Sequence, residues 1–206
     1  MEIPSKIILF IFTGLFISYS SAQPNISWKE HIIDDSSIGP PDLAGSDGLV
    51  MADLDKDGYL DIISVHELDT EYGVPEGYVR IAWGNEDPFT WISTTLASGS
   101  EAPSAEDVDV ADADGDGWLD IVVACELAHL VYFKNPTKDH RKVHWQRTIP
   151  ESTLNRGSFI RVFFSDLDDD GKVEVITANK GGENATGSNS PLKNVSFYKL
   201  PQEPLD

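Results

Sequence analysis

One nine-residue pattern of acids and glycine occurs three times, and no other feature restricts the fold of this chain as strongly. The copies are Asp53-Leu-Asp55-Lys-Asp57-Gly-Tyr59-Leu-Asp61, Asp112-Ala-Asp114-Gly-Asp116-Gly-Trp118-Leu-Asp120 and Asp166-Leu-Asp168-Asp-Asp170-Gly-Lys172-Val-Glu174. Carboxylates at positions 1, 3 and 5 precede a glycine at position 6, whose missing Cβ lets the chain turn sharply and fold those side chains round one point. Such a point suits a hard cation, and Ca²⁺ takes about six to eight oxygens. The position-7 carbonyls of Tyr59, Trp118 and Lys172 and the position-9 acids Asp61, Asp120 and Glu174 are expected to complete the shell. A plain acidic turn also uses Asp and Gly. It requires neither the fourth acid nor the same spacing each time.

An EF-hand shares the opening of this pattern but needs a bidentate Glu at position 12 and flanking helices. Position 12 is Ser64, Val123 and Thr177, and each loop is followed by a β-rich run at 62–65, 121–124 or 175–178. Both requirements fail, so each loop is expected between strands. The cation's role is expected to be structural, because a loop that spends its oxygens on one ion leaves no open position for a substrate.

The loops begin 59 and then 54 residues apart, the kind of period that signals a repeat architecture. In the first unit strands are expected at 49–52, 61–66, 78–83 and 91–96. The second repeats the plan at 108–111, 120–124, 129–133 and 143–149, and the third at 159–164, 174–178 and 195–199. The segment 27–33 resembles the fourth strand of the later units, with Trp28 standing where Trp91 and Trp145 stand. β-branched and aromatic residues fill these runs and none has helical periodicity, so the chain is read as all-β. Short antiparallel strands repeated radially make a β-propeller of four-stranded blades. About three blades are present, which is expected to be a partial propeller, with 27–33 a strand used for ring closure. The two uncovered apolar faces of an open arc predict self-association of residues 23–206 and a natural chain that continues with further blades.

The first 22 residues read as a signal peptide: Lys6 precedes an apolar run over 7–17, and Ser20, Ser21 and Ala22 offer a cleavage site. That run is shorter than the roughly 20 residues a membrane span needs. An exported protein fits the rest of the composition. The net charge of −20, to which twelve acids at positions 1, 3, 5 and 9 of the three loops contribute, repels nucleic acid and anionic membranes as partners. A single cysteine, Cys125, excludes a disulfide framework and reads as a buried small hydrophobe. Asn25, Asn184 and Asn194 begin N-glycosylation sequons.

The loops 53–61, 112–120 and 166–174, each flanked by apolar strands, resemble the FG-GAP or VCBS repeats of integrin-alpha-type β-propellers, over a stretch from about Trp28 to Leu200. The resemblance implies seven blades in the complete fold, with Ca²⁺ between the first two strands of a blade. The Phe-Gly and Gly-Ala-Pro wording that names the repeat is absent in clear form, and Glu174 replaces the usual Asp. The fold hosts adhesion, lectin-like binding and lyase or dehydratase activities alike, so membership implies no single function.

Chemistry beyond calcium is thin in the sequence. His66 and Glu67, and Glu126 and His129, follow corresponding second strands, with Glu67 and Glu126 each six residues past the position-9 acid. As catalytic candidates they would form an acid/base pair at one rim; as polar strand ends they would face solvent. Trp28, Trp91 and Trp145, like Trp83, Phe133 and Tyr198, are expected to pack between blades. No nucleophile elbow, HExxH, P-loop or Rossmann fingerprint occurs. Two classes of function follow: a secreted calcium-stabilised module that binds an extracellular protein or glycan, and an extracellular carbohydrate-active enzyme using His66, Glu67, Glu126 and His129.

Overall fold

The computed structural model describes residues 27–40, 43–68, 76–126, 128–142, 144–154, 156–181 and 194–200. The expected signal peptide and the sequon asparagines Asn25 and Asn184 lie outside them. The chain divides into two units, Met1–Glu30 and His31–Asp206, and the strands among the described residues belong to the second.

That unit is all-β, with three antiparallel sheets and no α-helix among the described residues. Sheet 1 runs in the order β1 (Ser46–Ala52), β2 (Asp61–His66), β3 (Gly77–Trp83), β4 (Ile92–Gly99). Sheet 2 repeats it with β5 (Ala105–Ala111), β6 (Asp120–Cys125), β7 (Leu130–Lys134), β8 (Gln146–Thr148). Sheet 3 contains β9 (Phe159–Ser165), β10 (Glu174–Asn179) and β11 (Asn194–Lys199), with β10 in the middle. Each acidic loop joins the first two strands of its sheet, and these pair without a slip beside the loop: Ala52 faces Asp61, Ala111 faces Asp120 and Ser165 faces Glu174.

The sheets pack in chain order, and β6 shows why its sequence is an unbroken apolar run. Every residue of β6 is buried, which happens when both faces of a strand are covered. On one face Ile121, Val123 and Cys125 join Ile63, Val65, Val79, Ile81 and Trp83 of sheet 1 in a first core, together with Phe133 and Trp145. On the other, Val122 and Ala124 join Leu130, Phe159, Val162 and Val175 in a second core against sheet 3, with Phe164 and Tyr198 at its margin. Each such aliphatic side chain contributes about 1.5–3 kcal/mol by leaving water. Two aspartates of β5 add polar links across the second interface: Asp107 and Asp109 accept the backbone N–H groups of Val162 and Phe164 at 3.0 and 2.7 Å. Cys125 is free and wholly buried, which pushes its thiol up to about 12.

The two ends of the stack differ. On the outer face of sheet 1, Arg80 is 5% exposed and forks onto both oxygens of Asp34, at 2.6 and 2.9 Å. Asp35 then holds a turn by accepting from Ser37 and Gly39. Residues 27–33, expected as a strand, form none. Trp28 is 92% exposed, so it does not share the packing role of Trp145; a strand is held by a partner's ladder, which an apolar alternation alone does not supply. Trp91 is half-buried and bonds the Pro88 carbonyl. On sheet 3, Phe163, Ile176 and Phe197 form one cross-strand row, of which Phe163 and Phe197 remain 49% and 57% exposed.

Candidate metal centres

The three loops close by one shared set of bonds. The position-1 carboxylate accepts the position-6 glycine N–H, from Gly58 to Asp53, Gly117 to Asp112 and Gly171 to Asp166, at 2.8–3.0 Å. The position-5 carboxylate accepts the position-7 N–H, from Tyr59 to Asp57, Trp118 to Asp116 and Lys172 to Asp170, each at 2.9 Å. The position-6 glycines have φ between 84° and 93°, the left-handed region that the sequence pattern requires of them. Position 4 is left-handed too, at Lys56, Gly115 and Asp169. Only Gly115 signals this in the sequence.

Within the loops, carboxylate oxygens come within 4.8 Å of one another in one cluster each: Asp53, Asp55 and Asp57; Asp112, Asp114 and Asp116; and Asp166, Asp168 and Glu174. The position-9 acids of the first two loops, expected as ligands, are not in them. Asp61 is wholly buried and accepts N–H bonds from Leu54 and Gly84, both at 2.9 Å, so it fastens its loop to β3. Asp120 does the same with Ala113 and Asn135 and also takes the Tyr132 hydroxyl at 2.6 Å. Burial pushes Asp61 up to about 6 and raises Asp120. In the third loop the longer Glu174 serves both ends: Oε2 accepts from Leu167 at 2.9 Å while its carboxylate still reaches the cluster. Asp170 falls outside it.

The donor set suits a hard cation. The side-chain atoms gathered in each cluster are carboxylate oxygens, and Asp55 Oδ1 and Asp112 Oδ1 are buried with no hydrogen-bond partner. A basic side chain also enters every cluster. Arg141 places Nε 2.7 Å from Asp55 Oδ2 and Nη2 2.7 Å from Asp57 Oδ2. Lys134 contacts Asp114 and lies 3.4 Å from Asp116, and Lys199 contacts Asp168 and lies 3.6 Å from Glu174. None of these three cations was identified from sequence. A cavity of about 380 Å³ lies between the second and third loops, bordered by Asp112, Asp114, Gly171 and Lys172.

The opposite rim holds the acid/base candidates, and burial overturns the expectation that polar strand ends there face solvent. His66 is 3% exposed, with its ring nitrogens each 3.0 Å from the hydroxyls of Ser46 and Ser64. Glu126 is equally buried and ion-paired to Lys180. His129 is buried, and neither ring nitrogen has a hydrogen-bond partner. Burial lowers the pKa of both histidines, opposed at His66 by Asp34 and reinforced at His129 by Arg147. Glu67 instead meets Asp47 and Glu106 within 4.8 Å. The repeat persists in the backbone here: Glu67, Glu126 and Lys180 donate N–H bonds to Gly45, Ser104 and Ser158 at 2.8–2.9 Å. None of the four candidates lines the loop cavity or the apolar one of about 340 Å³ bordered by Val122, Leu130, Val175 and Tyr198.

Residues 68–123 match the family model of an FG-GAP-like repeat. The match runs through β3, β4 and β5, the second loop and most of β6. No curated protein matches the chain.

Proposed function

We propose that this FG-GAP-type repeat chain is a secreted, calcium-stabilised module of a β-propeller, which holds an extracellular protein or glycan on its loop faces. The observation that carries this reading is that each sheet has a carboxylate cluster in a loop closed by the same bonds, at the turn between its first two strands. Asp53, Asp55 and Asp57, then Asp112, Asp114 and Asp116, and finally Asp166, Asp168 and Glu174 would hold the ions, with the position-7 carbonyls as further donors. Calcium supplies charge neutralisation and a cross-link between the two strands of each turn. The three stacked sheets are read as consecutive blades, and the exposed Phe163, Val195 and Phe197 on sheet 3 as a contact face for self-association. The alternative of a carbohydrate-active enzyme is weaker. His66 is held by two serines and Glu126 by Lys180, whereas a general acid or base must reach its substrate.

Thermal melting in excess Ca²⁺ and in excess chelator tests the proposal. Because a preformed site rarely exists in the unfolded chain, binding appears as folding free energy. A higher melting temperature with calcium is expected; identical melting in the two conditions would remove the calcium reading.

A further inference from the structure

Each loop has one basic side chain in its carboxylate cluster, but the cation arrives by different routes. Lys199 stands opposite the position-9 acid Glu174 at the end of the third strand of sheet 3. Lys134 holds the equivalent place in sheet 2, one residue beyond the pairing of Phe133 with Ile121. In sheet 1 that place is one residue beyond the pairing of Ala82 with Ile62, and it is Trp83, which carries no charge. The missing cation comes from the neighbouring sheet instead: Arg141, on the 135–142 connection after β7, reaches back to Asp55 and Asp57 and lies 5.0 Å over the Trp83 ring. A positive charge is thus supplied to all three clusters, in one case across a sheet boundary.

The Arg141 contact engages the oxygens a metal would use. Asp57 Oδ1 already accepts the Tyr59 N–H, and Oδ2 takes the guanidinium. A divalent ion held on these oxygens would be repelled by a guanidinium a few ångströms away, even at an effective dielectric near 20. One further bond ties the same connection to the first loop, from Asn135 to the Leu54 carbonyl at 3.1 Å, while His140 bonds Asn135 and packs its ring on Trp118 of the second loop.

We propose that Arg141 is a tethered competitor of calcium in the first loop, with Lys134 and Lys199 serving the other two, so that metal entry at Asp53, Asp55 and Asp57 displaces the guanidinium and releases one fastening of sheet 2 to sheet 1. This inference rests on the calcium reading of the loops. A guanidinium that instead supported the ion from outside its shell would leave the site weaker when removed, so the sign of the effect decides between the two roles.

The experiment is calorimetric titration of the full chain with CaCl₂ at low ionic strength, for the unaltered protein, Arg141→Gln and Lys138→Gln. Lys138 is exposed on the same connection and controls for a general change in charge. Arg141→Gln is expected to tighten one of the binding steps about fivefold or more, the lower end of ordinary coupling between two ligands, while Lys138→Gln leaves all steps within about twofold. Melting in chelator supplies a second reading: Arg141→Gln is expected to lower the melting temperature there, where the three carboxylates lose their counter-ion, and to match the unaltered protein in saturating calcium. Calcium affinity that is unchanged or weakened in Arg141→Gln, with binding intact in the unaltered protein, overturns the competition alone. Absence of calcium binding in all three proteins overturns the calcium reading and the competition together.

Discussion

The loop rim and the opposite rim are made from the same three sheets, yet one keeps its chemistry from repeat to repeat and the other changes it. At the loop rim, positions 1, 5 and 6 make the same bonds three times. At the opposite rim, the backbone repeats but its side chains do not: His66, Cys125 and Asn179 occupy one equivalent place, and Glu67, Glu126 and Lys180 the next. Gathered carboxylates must be neutralised, which constrains every copy alike. Buried polar strand ends need only some partner, and each sheet finds its own. Stability at the first rim should therefore follow calcium, and at the second should not.

The largest expected effect concerns the metal. Three independent sites held at 100 times their dissociation constants contribute together about 8 kcal/mol, at about 2.7 each, and chemical denaturation with and without calcium measures the sum. A smaller and calcium-independent loss is expected for Lys180→Met, which leaves the 3%-exposed Glu126 carboxylate unpaired; about 3 kcal/mol is the scale for such a broken pair. An equal dependence of both losses on calcium would abolish the distinction between the rims.

Two glycines sharpen it further. Gly77, near the opposite rim, has no room for a side chain: an added Cβ would sit 2.3 Å from the Ala102 carbonyl oxygen and 2.7 Å from that of His66. Gly77→Ala should cost about 2–3 kcal/mol through a backbone shift. Gly58 at the loop has open space around it but a φ of 93°, so Gly58→Ala should cost about 1–2 kcal/mol by conformation alone and also weaken calcium binding. Gly77→Ala should leave calcium affinity unchanged.

The smallest expected effect is that of pH. His66 and His129 are held neutral by burial, with folded pKa values below the usual 6.5. Below that value the unfolded chain takes up protons that the folded one refuses, so their contribution is fully present above about pH 6.5 and lost as pH falls towards the folded values. Asp61, whose folded value is about 6, changes stability in the opposite sense over the same range, so the histidine contribution is read as a difference: between pH 7.5 and 5.5 in saturating calcium, the melting temperature of the unaltered protein should fall relative to that of His66→Gln.

The strands were legible because alternation and β-branched runs report local preference, and β2, β3, β6 and β10 fall within a residue or so of the expected positions. The loop turns were legible because Gly58, Gly117 and Gly171 are required by backbone conformation. Residues 27–33 were misread because strand formation depends on a partner that no local pattern names. The bonds of Asp61 and Asp120 to Leu54, Gly84, Ala113 and Asn135 were not legible, because spacing identifies an acid but not which N–H groups occupy its oxygens. Arg141 was invisible for the same reason at longer range: its partner Asp55 lies 86 residues away.

The central claim is that these loops are cation sites, and calcium stoichiometry at equilibrium tests it most directly. Dialysis of the full chain against calcium up to several times the roughly 10⁻⁴–10⁻³ M typical of extracellular modules should find three ions per chain, and two in Asp114→Ala with the first and third loops still filled. Binding that never saturates, or a stoichiometry indifferent to Asp114, would contradict the account and leave the loops as acidic turns closed by Arg141, Lys134 and Lys199.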